Sequence, residues 1–159
     1  MREQNPASRW DAYERSGSFA VKHPKSAVFP LLCPKAEEAW IPGWKCEVLH
    51  SRSGWNEPGA VFRTAGPFGA EVIWYTRTCD QAAGSVEFVN FGVGAFVFHF
   101  RIEVVETGGS CELHFSQTFV PVSEAGLSRV SALVSEDFQG RLLQLGSLID
   151  THLAGPTRP

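Results

Sequence analysis

Three polar side chains fall where the apolar pattern of this chain leaves least room for them: Asn90, Gln117 and Arg141. Gln117 shares a strand face with Phe98, Phe100, Phe115 and Phe119 when the last two extended segments are paired as a hairpin. Asn90 joins that face if Val86 and Phe88 point inward. Arg141 lies about 40° from the direction of Leu127 on a helical wheel, inside the apolar arc of the C-terminal segment. Two amides and a guanidinium among aromatic rings suit a ligand with an apolar body and a carboxylate or carbonyl head, since such heads take strong charge-assisted hydrogen bonds. The apolar candidates for the lining are Phe62, Trp74, Phe88, Phe98, Phe100, Phe115, Phe138 and Leu142. Each polar residue also has a plainer reading: Gln117 satisfies a backbone group, Asn90 sits in the turn before Gly92, and Arg141 runs its stem along apolar surface to reach water at the rim.

Catalytic patterns are scarce. There is no Gly-x-Ser-x-Gly and no His-Glu-x-x-His. His99 and His114 fall on the polar face of the last hairpin, with Glu103 opposite His114, and read as surface residues. Glu37 and Glu38 are adjacent and read as a wet helix face rather than an acid–base dyad. Gly92 and Gly94 mark a turn or bulge, without the strand–loop–helix cradle a nucleotide needs. Cys33, Cys46, Cys79 and Cys111 are far apart, with no metal-ligand spacing, which fits reduced thiols in a cytoplasmic protein and predicts no metal or cofactor. A net charge of −3 and a pI of 5.9 argue against a nucleic-acid surface. No segment approaches the length of a membrane span or a signal sequence.

The elements that must position these residues end in one long amphipathic segment. From Ser123 to Leu153 no proline interrupts, which predicts one helix of about 31 residues, roughly 46 Å long. Leu127, Val130, Val134, Phe138, Leu142, Leu145, Ile149 and Leu153 fall on one arc, with Ser123 as N-cap and Glu124 in the first turn. Gly140 and Gly146 mark either a bend or close packing, and packing is the preferred reading. Upstream, Gly108-Gly109 reads as a two-residue hairpin turn. It sets Val104 against Leu113, Ile102 against Phe115, Phe100 against Gln117 and Phe98 against Phe119, with Glu103–His114, Arg101–Ser116 and His99–Thr118 on the other face. One register yields one apolar and one polar face. The apolar face runs about 40 Å, matching the helix expected to cover it. Before the hairpin come a strand at 13–23, short helices at 25–32 and around 37–40, and strands at 44–51, 60–64, 70–79 and 85–91. Trp40 and Trp44 bracket a Pro-Gly corner and are expected to pin the short helices to the sheet; Trp74 is divided between cavity and core. Residues 1–11 read as a loose arm on a single domain spanning 1–159.

This order resembles the helix-grip arrangement of the START-related SRPBCC superfamily, which includes pollen allergens, lipid-transfer domains, and polyketide cyclase/dehydrase-like and other bacterial proteins. Local wording adds to it: Val28-Phe29-Pro30-Leu31-Leu32, the run from Glu37 to Trp44, Pro58-Gly59-Ala60-Val61-Phe62, and Val72-Ile73-Trp74-Tyr75-Thr76. The resemblance implies an α+β fold in which a curved antiparallel sheet of about seven strands, with two short helices after the first strand, wraps around a long C-terminal helix. It also implies a cavity between them that takes a small hydrophobic or amphipathic molecule. Three functions follow in order of preference: a ligand-binding module, a polyketide cyclase/dehydrase-like enzyme using the same cavity, and a co-chaperone-like interaction module. Monomer and homodimer both remain open.

Overall fold

In the computed structural model, which describes residues 9–66 and 71–156, alternating apolar residues build one seven-stranded antiparallel sheet. Its strands are β1 (Tyr13–Val21), β2 (Cys46–His50), β3 (Val61–Ala65), β4 (Glu71–Asp80), β5 (Ser85–Gly92), β6 (Phe96–Glu106) and β7 (Cys111–Pro121). They lie in the order β1-β7-β6-β5-β4-β3-β2, so the first strand closes onto the last. The β6–β7 register has every expected cross-strand pair, from Val104 opposite Leu113 to Phe98 opposite Phe119. Gly108 and Gly109 make this turn at φ of +64° and +88°, a region open to glycine, while the Thr107 amide donates to the Ser110 carbonyl at 2.9 Å.

Between β1 and β2 the chain makes a short helix α1 (Lys25–Val28), continued as a 3-10 turn at Phe29–Leu32, and a second 3-10 turn at Ala36–Ala39. Pro24 stands at the N-cap, one position before the expected N1. The expected arm at 1–11 lies outside the described residues over its first eight positions, as do Pro67 and Gly69 of the turn before β4 and Ala70 at that strand's expected start.

The single 31-residue helix is corrected to two: α2 (Glu124–Val134) and α3 (Phe138–Ala154). Ser123 caps the first as expected, accepting from the Gly126 amide at 3.0 Å. The break falls at Ser135-Glu136-Asp137, three exposed residues with no packing to hold them in a continuing helix. Asp137 accepts from the Gly140 amide at 2.9 Å, and a short acceptor side chain that caps a new helix competes with propagation of the old one. The Leu133 carbonyl at the end of α2, which the Glu136 amide reaches at 3.3 Å, also accepts from Arg15 Nη1 of β1 at 2.8 Å. The long C-terminal helix is therefore α3, 17 residues or about 26 Å.

Around that helix the sheet curls, as the helix-grip arrangement requires. Leu142, Gly146 and Ile149 are buried against β1. A β-carbon on Gly146 would lie 2.8 Å from Phe19 Cδ2, and one on Gly17 would lie 2.7 Å from Leu142 Cδ1. Gly146 thus serves close packing. At its far end α3 is tied to β1 by Asp150, which accepts from the Lys22 amide at 2.8 Å. No helix of the described residues is long and apolar enough to cross a membrane.

Candidate functional site

On its other face α3 stands off the sheet. Arg141, Gln144, Leu145 and Leu148, spaced i, i+3, i+4, i+7, border a cavity of about 380 Å³. The sheet contributes Trp74, Phe100, Ile102 and Phe115, and the helical segment before β2 contributes Leu32, Glu37, Trp40 and Trp44. A second space of about 180 Å³ shares Trp44, Trp74 and Arg141 with the first and runs toward Arg15, Phe98 and Phe119.

The aromatic walls are fixed by their own hydrogen bonds. Trp40 Nε1 donates to the Leu31 carbonyl at 3.0 Å, Trp44 Nε1 to the Pro34 carbonyl at 2.7 Å, and Trp74 Nε1 to Thr64 Oγ1 at 2.8 Å. Trp40 and Trp44 therefore brace the short helical segment from within, and Trp44 meets the sheet at Trp74. Since all three indole N–H groups are committed, what these residues offer to the cavity is ring surface. Trp74 is the hub, edge-on to Trp44 at 6.1 Å and to Phe88 at 5.2 Å between ring centroids.

Glu37 is the chemically unusual member. Counted over the whole residue it is half-buried, but its carboxyl is turned into the cavity, where burial pushes its pKa up to about 8. No hydrogen bond or ion pair holds that carboxyl among the described residues. Its neighbour Glu38 is directed elsewhere: it meets Lys35 Nζ at 2.7 Å and accepts from the Cys46 amide at 2.8 Å. Those bonds hold the Glu38 carboxyl below its usual range. The two adjacent acids are thus separated by the 3-10 turn, and the expectation of a wet face holds for Glu38 and is corrected for Glu37. Arg141 sits at the rim, about half exposed, with its charge answered by Glu136 at 2.7 Å. Its place on the apolar arc follows from α3 having two covered faces, one on β1 and one on the cavity.

The eleven residues singled out from the sequence separate into two groups. Trp74, Phe98, Phe100, Phe115 and Arg141 line one or both spaces. Phe62 and Phe88 are fully buried in the core layer. Asn90 is inside β5 rather than in the turn before Gly92, between Trp74 and Phe98 on the adjoining strands, and both its amide atoms are buried without a partner. Gln117 does not satisfy a backbone group. Its Oε1 accepts from Arg15 Nε at 2.7 Å. Phe138 stacks under the same guanidinium at 4.3 Å, and Leu142 packs on β1, so both belong to the closed face of α3. On the outer face His114 pairs with Glu112 at 3.0 Å rather than with Glu103, and His99 lies 3.6 Å from Glu87.

Sequence reasoning passed over Arg15, Glu37 and Gln144. Arg15 carried a signal, since it shares the inward parity of Phe19 and Val21 along β1. Gln144 carried one too, three residues after Arg141. Glu37 carried none, because four residues of 3-10 turn have no period to read.

No family model matches the chain, and no curated protein does. Solved structures do. Norcoclaurine synthase from Thalictrum flavum, in complex with dopamine and hydroxybenzaldehyde, is 16% identical with a TM-score of 0.67, over 94% of this chain and 91% of that one. Ara h 8.0201 is 14% identical with a TM-score of 0.64, over 91% of this chain and all of its own. An uncharacterised protein from Rhizobium leguminosarum is 14% identical with a TM-score of 0.58, over 92% of this chain and 99% of that one. At these identities the likeness establishes the fold alone, the helix-grip arrangement of a curved antiparallel sheet around a long C-terminal helix.

Proposed function

We propose that this helix-grip chain holds one small amphipathic molecule between its sheet and α3. The apolar body lies against Trp74, Phe100 and Phe115, and the polar end faces Glu37, Gln144 and Arg141. The observation that carries this reading is the cavity itself: about 380 Å³ of space with fixed aromatic walls and few polar groups, within the roughly 300–1,000 Å³ usual for small-molecule sites. Its aromatic face is interior, which favours a cavity binder over a module that docks a protein on an exposed apolar patch. Cytoplasmic residence belongs to the same proposal and is supported by four free thiols.

A second reading, a cyclase- or dehydrase-like enzyme acting in the same cavity, is favoured by Glu37. A carboxyl with a pKa of about 8 facing an apolar space is suited to general acid–base work near neutral pH.

Titration with a naphthalene-type fluorescent probe tests the first reading. Binding should saturate at one equivalent, and Leu148→Trp, which fills the cavity from α3, should abolish it while the fold is retained by circular dichroism. If the protein binds no probe, or if Leu148→Trp binds it equally well, the cavity is not the site.

A further inference from the structure

Resting on the cavity reading above, we infer that the ligand is an amine: an aromatic or aliphatic body carrying one protonated nitrogen, which pairs with the carboxylate of Glu37.

Charge balance in the cavity leads to this class. Two charge-bearing side chains border it, and they differ in what already answers them. Arg141 has its counter-ion, Glu136, at 2.7 Å and reaches water at the rim. The Glu37 carboxyl has neither ion pair nor hydrogen bond among the described residues, and it faces space rather than packed side chains. The unpartnered ionisable group of the site is therefore an acid, and a cationic ligand group is what would hold it as a carboxylate. An anionic head would have to share Arg141 with Glu136 and would also face Glu37.

The walls point the same way. With the three indole N–H groups bonded internally, Trp40, Trp44 and Trp74 present ring surface, and Phe100 and Phe115 add two more rings. Ring faces carry negative electrostatic potential and attract ammonium groups. A carboxylate set among aromatic faces is a site for a desolvated cation, and the unpaired acid retained there is what such a ligand neutralises.

Proton linkage makes the class readable without a structure of the complex. In the free protein Glu37 holds its proton up to about pH 8. An ammonium ligand needs the carboxylate, so binding below that pH expels a proton and affinity rises with pH, by close to tenfold per unit between about pH 5.5 and 7.5. A carbonyl or alcohol head would use the protonated acid as donor, and its affinity would be level over that range and fall above pH 8. The other titratable groups around Glu37 do not supply this slope. Lys35 and Glu38 are paired to each other, Arg141 is paired to Glu136, and burial pushes Cys46 up to about 12 and Cys33 upward from its usual value.

The experiment is a competition titration of the whole chain with two matched probes, 2-(naphthalen-2-yl)ethylamine and the corresponding alcohol, from pH 5.5 to 9. The amine should bind at least about tenfold more tightly at pH 7.5, with proton release seen as a buffer-dependent binding enthalpy. Glu37→Gln should erase the preference and flatten the pH slope of amine binding, with the fold of the variant checked by circular dichroism. Equal binding of the two probes, or an amine affinity level or falling with pH, overturns the amine assignment and leaves the cavity reading standing. Binding of neither probe overturns both. If Glu37→Gln does not fold, the sign of the pH slope in the unaltered protein decides the question alone.

Discussion

The two covered faces of α3 meet the same sheet and are built in opposite ways. Toward β1 the contact is made by removing side chains: Gly17 and Gly146 leave no room for a β-carbon, and Leu142, Ile149 and Phe19 close the gap completely. Toward the short helical segment it is made by large rings. Trp40, Trp44 and Trp74 are each tied back by a hydrogen bond, so they cannot collapse inward to meet Leu145 and Leu148. One face spends its residues on adhesion and the other on keeping a space open. A helix whose apolar arc exceeds what one contact can bury has a second partner to satisfy. Here the second partner is the cavity.

The largest expected effect separates the two faces directly. Ile149→Ala, on the closed face, should cost about 3 kcal/mol in urea unfolding, because the surroundings are packed too closely to relax into the void. Leu148→Ala, one residue earlier and on the open face, should cost about 1 kcal/mol, since its side chain is only partly buried and already borders space. Equal costs would mean that α3 is packed alike on both sides.

Next in size is Arg15, which joins the closed face to the break between α2 and α3. Arg15→Met should destabilise the chain by about 2 kcal/mol, leaving the Gln117 amide oxygen without its donor and the Leu133 carbonyl with only its long bond from the Glu136 amide. Adding Gln117→Leu should restore part of that loss, because an apolar pair of similar shape carries no unpaired polar group. Amide hydrogen exchange should quicken in the last turn of α2 and stay unchanged along β5. No recovery in the double variant would show that the Gln117 contact contributes little.

What was legible in the sequence follows the same division. The β6–β7 register could be read because period 2 is rigid: one Gly-Gly turn places all seven pairs, and a slip of one residue would invert both faces. The helix break could not be read from periodicity, because the apolar arc resumes at Phe138 almost where it left off at Val134. Its signal was local, a capping Asp137 three residues before Gly140. The aromatic lining was legible as a face but not by depth. Phe88 and Phe100 oppose each other across two strands, yet Phe88 is sealed in the core while Phe100 borders the cavity. Depth is set by where the short helical segment rests, and nothing in the strand pattern encodes that.

The last predicted effect, on the open face, carries the most information about it. In the unfolded chain the Glu37 carboxyl has a pKa of 4.5, and in the folded chain it is pushed up to about 8 by burial. Below pH 4.5 both states hold the proton and the group has no influence on stability. Between 4.5 and 8 the folded state keeps a proton that the unfolded state has released, so stability falls as pH rises, and above about 8 the full penalty is present. Glutamine never ionises, so Glu37→Gln should match the parent Tm near pH 4.5 and exceed it by a margin that grows steadily up to pH 8.5. Scanning calorimetry across that range measures the divergence. Parallel curves would mean that the carboxyl reaches water, and with it the open face would lose both its desolvated acid and its claim to be a site built for a cation.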